Sequence, residues 1–435
     1  MLTPEFVKSF REAAPYVNAF RGKTFVIAVS GETVRDGHFA SLAQDINLLA
    51  SFGLRLVVVH GIRPQIEGLL KQHGLTRRFH RERRVTDPPT MNVVKQAVGL
   101  ARYEVEALLS MGTPNAAIHG SQLRIAGGNM LTAQPLGVLD GTDMQFTGLV
   151  RRIDTQAITT RLEAGDLVLL SPIGYSPTGE AFNMTMEEVA THTAIALKAE
   201  KLIFLVDGRG VISLEDKLIS TLTAQQAEDL LASVPLKQDV AAYLPYAIRA
   251  TREGVPRAHL VSSKEDGALL LELFTNFGNG TMVARDPLVK LRTASIDDIA
   301  AILGLIRPLE EQGILIKRSR ELLEMEVGNY SVLEHDKRIY GCVAMHAYPD
   351  SDSAELACLA VSPERRDAGF GEMLLKHVEY QARTRRLKSL FVLTTRTAHW
   401  FVERGFVEAS PEALPEVRQR QVNPERGSKI FIKTL

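Results

Sequence analysis

Short apolar runs rich in β-branched and aromatic residues alternate with stretches of helical spacing over most of the chain, and no other feature narrows the available folds as much. Phe25–Val29, Leu56–Val59, Leu167–Leu170 and Leu202–Val206 each fit one strand, while Glu187–Ala199 and Ala224–Ala232 repeat apolar residues at helical intervals. That alternation predicts an α/β unit in three layers, a mostly parallel central sheet covered by helices. Polar or glycine-rich breaks follow several strands, among them His60-Gly61, Gly127-Gly128-Asn129 and Asp207-Gly208-Arg209-Gly210. Ligands of such sheets sit at these strand ends.

The alternation resets near Gly278-Asn279-Gly280-Thr281 and Arg285-Asp286-Pro287, where turn residues interrupt the series. A chain of 435 residues exceeds the roughly 100–200 residues of one domain, so we divide it into 1–285 and 286–435. Residues 1–20 read as a helix that starts at Thr3-Pro4-Glu5 and carries Phe6, Phe10, Ala13 and Val17 on one face. Pro15 is expected to end or kink it. After the break, Val289–Leu291 reads as a strand, and Ser295 with Asp298 as an acidic capping box ahead of the helix Ile299–Ile306. Tyr330–Glu334, Tyr340–His346, Glu355–Val361 and Leu390–Leu393 read as further strands.

Charge and cysteine content narrow the function. With 51 basic and 51 acidic residues there is no net charge to draw nucleic acid or an anionic membrane, so small molecules are the expected partners. No apolar run reaches the ~20 residues that span a bilayer, and charges interrupt the first helix too often for a signal peptide. Cys342 and Cys358 have neither the number for a disulfide framework nor the spacing of a zinc site, which fits a reducing cytoplasm and no metal.

The most informative segment runs from Glu355 through Val361 and Arg366 to Gly369-Phe370-Gly371, and on into an amphipathic helix bearing Met373, Leu374, Val378 and Ala382. A strand, a glycine turn and a helix N-terminus in that order form an anion site, because unpaired N–H groups and the helix dipole face the turn. Glycine there lets a pyrophosphate approach without a Cβ in the way. Neither a P-loop nor a Rossmann glycine spacing occurs in the chain. Together with the later Trp400-Phe401-Val402-Glu403-Arg404-Gly405-Phe406, the R-x-x-G-x-G spacing resembles the GCN5-related N-acetyltransferase (GNAT) family. The resemblance implies an α/β domain with a mixed sheet, acetyl-CoA as co-substrate, and its pyrophosphate on this loop.

Ile306–Glu310, Gly313–Glu321, Cys358–Val361 and Phe391–Arg396 further resemble the bacterial N-acetylglutamate synthases, and the likeness extends over nearly the whole chain. In that family a GNAT domain follows a domain of amino-acid-kinase fold, and acetyl moves from acetyl-CoA to the α-amine of L-glutamate, the first step of arginine biosynthesis. An amine attacks a thioester only when unprotonated, so the site needs a proton acceptor, and Glu355 is the candidate. Backbone N–H groups of Cys358, Leu359, Ala360 and Val361 are placed to meet the oxyanion, which leaves Cys358 a small buried residue and no nucleophile. Arg366, Gly369, Phe370 and Gly371 complete the acetyl-CoA site. Resemblance makes Thr394 the proton donor to the CoA thiolate, and Arg318 and Arg426 the forks for the glutamate carboxylates, with Arg320 and Arg396 nearby as substitutes.

Val57–Ile66, Asn183–Glu187, Ala199–Ile203 and Gly267–Thr281 look like acetylglutamate kinase. Where those kinases carry a lysine ahead of a glycine pair, this chain has Ala28, Ser30 and Gly31, and Ile62 and Arg63 replace glycines of a phosphate loop. The first domain therefore reads as a retired kinase that binds a regulator and builds a homo-oligomer, a hexamer by resemblance. Arginine-sensitive relatives imply an arginine site at Tyr16, Glu272 and Gly278. Three readings compete: a working kinase with an appended transferase, an acetyltransferase for another amine, and a silent amino-acid sensor. Ala28, Ile62 and Arg63 count against the first, the arginines of the second domain against a polyamine, and the intact glycine loop against the third.

Overall fold

The structure is a computed structural model, and it describes residues 4–111, 123–233, 235–236, 238–275, 278–287, 289–335, 338–363, 369–423 and 426–435. Two compact units divide it, Met1–Asp286 and Pro287–Leu435. No helix among the described residues is long and apolar enough to cross a membrane.

In the first unit, β1 (Thr24–Val29), β2 (Arg55–His60), β3 (Ile125–Ala126), β4 (Leu167–Leu170), β5 (Lys201–Val206), β6 (Thr221–Thr223), β7 (Arg257–Ser262) and β8 (Thr281–Ala284) form one sheet in the order β6-β8-β7-β5-β1-β2-β4-β3. Every neighbouring pair is parallel except β7 with β8. Alternate residues of each central strand enter opposite cores. Val26, Ala28, Val57, Val59, Leu202 and Phe204 face one side, and Phe25, Ile27, Val29, Val58, Ile203 and Leu205 the other. Burial on both faces is why these strands read as unbroken apolar runs.

The first helix, α1 (Pro4–Phe20), runs through Pro15 without a break, contrary to the expectation from its ring. Proline forfeits one helical hydrogen bond at a cost of about 3 kcal/mol. Docking offsets that here: Phe20 is buried in the second core, and Ala13, Tyr16 and Val17 pack on it. The helix touches α2 (Ala268–Phe274).

In the second unit, β9 (Val289–Thr293), β10 (Tyr330–His335), β11 (Arg338–Tyr348), β12 (Ser353–Val361), β13 (Ser389–Thr394), β14 (Val407–Ala409) and β15 (Lys429–Thr434) form a sheet in the order β9-β10-β11-β12-β13-β15-β14. Only β12 with β13 is parallel, so the sheet is mixed. Ser295 and Asp298 make the capping box, on a 3-10 turn that leads into α3 (Ile299–Glu311). That helix buries Ile299, Ile302, Leu303 and Ile306 against one face of the sheet. On the other face lies α4 (Phe370–Thr384), through Phe370, Leu374, Leu375, Val378 and Ala382.

Candidate active site

Strands β12 and β13 pair only at Ser353, Ala354 and Glu355, opposite Ser389, Leu390 and Phe391. No further β12–β13 pair follows among the described residues, although β13 keeps its full ladder with β15 through Thr394. The two strands therefore part into a notch, and one edge of Leu356–Val361 carries backbone groups without a ladder partner. Backbone donors left this way in a protein interior call for a ligand or water.

A bulge deepens the notch. Ala357 and Ala360 of β12 lie opposite Ala344 and Cys342 of β11, so two residues of β12 face one of β11. Cys358 takes a left-handed φ of 55°, which is uncommon for a residue with a Cβ. The extra residue reverses the strand's facing. Ala354 and Leu356 enter the core under α4, whereas Cys358 and Ala360 enter the core under α3. Both thiols are free and buried, and Cys342 Sγ donates to the Cys358 carbonyl at 3.7 Å.

Gly369, at φ 73°, caps α4, and the helix N-terminus follows directly at Phe370 and Gly371. A Cβ at Gly371 would lie 3.4 Å from the Trp400 ring, on α5 (Ala398–Val402). The Arg404 guanidinium stacks on that ring at 4.1 Å and pairs with Glu372, in the first turn of α4, at 3.7 Å and with Glu403 at 3.3 Å. Arg366 lies outside the described residues.

Glu355 is the third residue of β12 and the last with a β13 partner. Its side chain is buried in a bidentate pair with Arg418, whose Nε and Nη2 donate to the two carboxylate oxygens at 2.6 and 2.9 Å. Arg418 stands on the short helix α6 (Glu416–Gln419). No motif surrounds it in the sequence, and the contact spans 63 residues, so nothing local announces it. Thr394 is buried at the end of β13, where its hydroxyl meets Thr397 Oγ1 at 2.8 Å and accepts from Thr397 N–H at 3.1 Å.

Arg318 and Arg426 come together although they lie far apart in sequence. Both spend donors on carbonyls of one loop, Arg318 Nη1 on Ile316 at 3.0 Å and Arg426 Nη2 on Ile314 at 2.7 Å. Burial, then the charge of Arg318, lowers the pKa of Arg426. Arg396 reaches the same loop at Gln312, at 3.5 Å. None of the three guanidinium groups pairs with a carboxylate among the described residues, although Glu310 Oε1 accepts from the Arg318 backbone N–H at 2.9 Å. Arg320 instead pairs with Glu324 at 2.7 Å on the surface.

Comparison with known proteins places this geometry. The amino acid kinase family model matches residues 23–262, and that of the acetyltransferase (GNAT) domain matches residues 326–408. The amino-acid acetyltransferase of Pseudomonas aeruginosa (strain LESB58) is 49% identical over 432 residues, which cover 99% of this chain and 100% of the relative. That of Azotobacter vinelandii is 49% identical over 431 residues, again 99% and 100% of the two chains. The chain belongs to the amino-acid acetyltransferase family. N-acetylglutamate synthase from Neisseria gonorrhoeae, solved with coenzyme A and L-arginine, is 40% identical and superposes with a TM-score of 0.90 over 99% of both chains.

In this acetyltransferase the kinase-like domain holds two further arrangements. Glu272, on α2, accepts from His259 Nδ1 at 2.6 Å and from the N–H groups of Asn279 and Gly280 at 2.7 and 2.8 Å. Lys201 Nζ meets His259 Nε2 at 3.1 Å and lies 5.2 Å from the centre of the Phe20 ring, one turn beyond Tyr16. Burial, then Lys201, lowers the His259 pKa to about 4. The histidine is therefore neutral, donating from Nδ1 to Glu272 and accepting at Nε2 from the lysine. Burial raises the Glu272 pKa, but the hydrogen bonds from His259, Asn279 and Gly280 outweigh it and leave the carboxylate lowered. Gly278, at φ 61°, fits because it has no Cβ, which would overlap the Glu272 carboxylate. Sequence reasoning proposed Tyr16, Glu272 and Gly278 for a regulatory site and did not include their neighbours Lys201, at the head of an apolar run, and His259.

The second arrangement is the segment that resembles a kinase phosphate loop. Gln65 Nε2 donates to the Gly31 carbonyl at 3.1 Å, and a Cβ on Gly31 would lie 2.7 Å from both Gln65 Oε1 and Pro64 Cδ. A Cβ on Gly61 would lie 2.7 Å from Gly31 N. The two loops are in contact, with the Gln65 side chain between them.

Proposed function

We propose that the protein transfers acetyl from acetyl-CoA to the α-amine of L-glutamate and that arginine inhibits it through the first domain. The observation that carries the substrate is the unpaired cluster of Arg318, Arg426 and Arg396 beside the β12–β13 notch, since guanidinium forks match carboxylates. The N. gonorrhoeae relative binds coenzyme A and, in a second structure, N-acetyl-glutamate, which supports the same pair of ligands here.

Acetyl-CoA would lay its pyrophosphate on Gly369–Gly371 and Arg366, and its thioester in the notch. Glu355 takes one proton from the glutamate ammonium. The freed amine adds to the thioester carbonyl, and the oxyanion is held by N–H groups of Cys358–Val361. Collapse breaks the C–S bond, the Thr394 hydroxyl protonates the departing thiolate, the amine's second proton returns to the Thr394 oxygen, and Glu355 releases the first proton to solvent. Arginine is proposed to sit near Tyr16, Gly278 and the Lys201–His259–Glu272 relay, where Glu272 would meet its guanidinium. The regulatory domain would retain no kinase activity, because Ala28 offers no cation and Gln65 fills the loop. We place the enzyme in the cytoplasm, where Cys342 and Cys358 stay reduced, as a homo-oligomer that uses the exposed Phe6 and Phe10 of α1.

The test is CoA release from acetyl-CoA over a panel of glutamate, aspartate, ornithine and spermidine. Glutamate should be preferred, and Arg318→Ala or Arg426→Ala should raise its KM by about tenfold or more while sparing the KM of acetyl-CoA. Preference for spermidine, or a loss confined to acetyl-CoA binding, would remove the substrate assignment.

A further inference from the structure

Arg418 differs from every other arginine near the notch. The side chains of Arg318, Arg396 and Arg426 donate to backbone carbonyls and keep charge to offer, whereas Arg418 turns two donors onto one carboxylate and is buried while doing so. Two of its five donors are committed to Glu355, so its effect on the reaction includes one that passes through that carboxylate.

What surrounds Glu355 explains why a partner is needed there. On β11, His346 lies directly opposite Glu355, and Tyr348, two residues on, shares its face. On β13 its neighbour is Phe391, which joins Leu414 and Ile430 in an apolar cluster with Tyr348 at its edge. Burial raises the Tyr348 pKa and the Glu355 charge raises it further, so that neighbour is a neutral phenol. A buried carboxylate among these groups needs hydrogen-bond partners, and Arg418 supplies two of them. Each carboxylate oxygen has a second lone pair, so the pair leaves acceptor capacity for the incoming ammonium proton.

The chain path adds a second observation. Arg418 and Arg426 both belong to the excursion between Ala409 and Lys429 that joins β14 to β15. One end of it pins Glu355, and the other pins the loop that Arg318 also grips.

We propose that Arg418 is a positioning residue for acetyl transfer: its two parallel hydrogen bonds fix the Glu355 carboxylate at the apex of the notch, oriented to accept the ammonium proton. The inference rests on the reading of Glu355 as the proton acceptor. Arg418→Gln keeps a hydrogen-bonding side chain and removes the charge. In the full-length enzyme it should lower kcat by about tenfold or more, leave the KM of acetyl-CoA unchanged, and move the acid limb of kcat/KM for glutamate to higher pH. Arg418→Lys should return the limb toward its wild-type position but recover only part of kcat, because the ammonium lacks the fork. Wild-type turnover and an unmoved limb in Arg418→Gln would overturn the proposal, as would a defect confined to melting temperature. Should Arg418→Gln not fold, Arg418→Lys decides: full kcat overturns the proposal and reduced kcat at unchanged acetyl-CoA KM supports it. A wild-type enzyme inactive on every amine would take down the proposed function as well, whereas an active one indifferent to Arg418 takes down this inference alone.

Discussion

Asp45, on the helix Phe39–Ser51, is buried, and its Oδ2 has no hydrogen-bond partner among the described residues. Burial, then the charge of Asp266, raises its pKa from 3.8 to about 6. The folded state therefore binds this proton more tightly than the unfolded chain. Stability from the group is complete below the unfolded value near 3.8 and is lost as pH rises through about 6. Asp45→Asn should thus stabilise the protein at neutral pH, by something on the order of 2 kcal/mol, with the gain shrinking as pH falls below about 6. Thermal melts of both proteins at neutral and at mildly acidic pH check this. An equal difference at both pH values would mean that the charge is not what costs stability there. The same scale explains what the sequence hid. Glu355 and Thr394 announce themselves by the motifs around them, but Arg418 sits among Arg420 and other polar residues with nothing to mark it, and only the fold brings it to Glu355.

At the scale of elements, the strands were legible because a sheet covered on both faces demands apolar residues at every position, and Leu167–Leu170 falls on the same residues in both readings. Two departures have physical reasons. Pro15 breaks a helix only where nothing else holds it, and Phe20 docking is a tertiary contact that local spacing does not reveal. The bulge at Cys358 is invisible because Leu-Ala-Cys-Leu-Ala-Val is apolar throughout, so a reversal of facing leaves no change in pattern. That bulge makes its own prediction. A β-branched side chain at φ 55° is strained by about 1–3 kcal/mol. Cys358→Val should lower the melting temperature and raise the KM of acetyl-CoA, while Cys358→Gly, free of the strain, should keep the acetyl-CoA KM near wild type. A valine variant that melts and turns over like the parent would show that the bulge does not govern the notch.

For the whole molecule, α1 joins its first unit at one end only. Tyr16, Val17 and Phe20 pack on the core, whereas Phe6 and Phe10 stack on each other at 6.1 Å in solvent. Phe20 also lies under Lys201, so the helix ends on the buried relay. If arginine acts there, a chain lacking residues 1–20 should acetylate glutamate and lose inhibition by arginine. The dose response of the two proteins measures it, and equal inhibition in both would separate α1 from the site.

The Gln65 side chain between the two loops also has an evolutionary consequence. Ala28 is fully buried in the core, and the space beside Gly31 is already taken by Gln65 and Pro64. A lysine restored at position 28 would bring a cation to a place with no room for a phosphate, and clearing Gln65 alone would open a pocket without a cation. Neither single step would be favoured by selection, so reversion requires passage through intermediates that gain nothing. On the proposed reading of this domain as a retired kinase, its departure from phosphoryl transfer works as a ratchet, and descendants of this chain would be freer to vary a bound regulator than to recover the old chemistry.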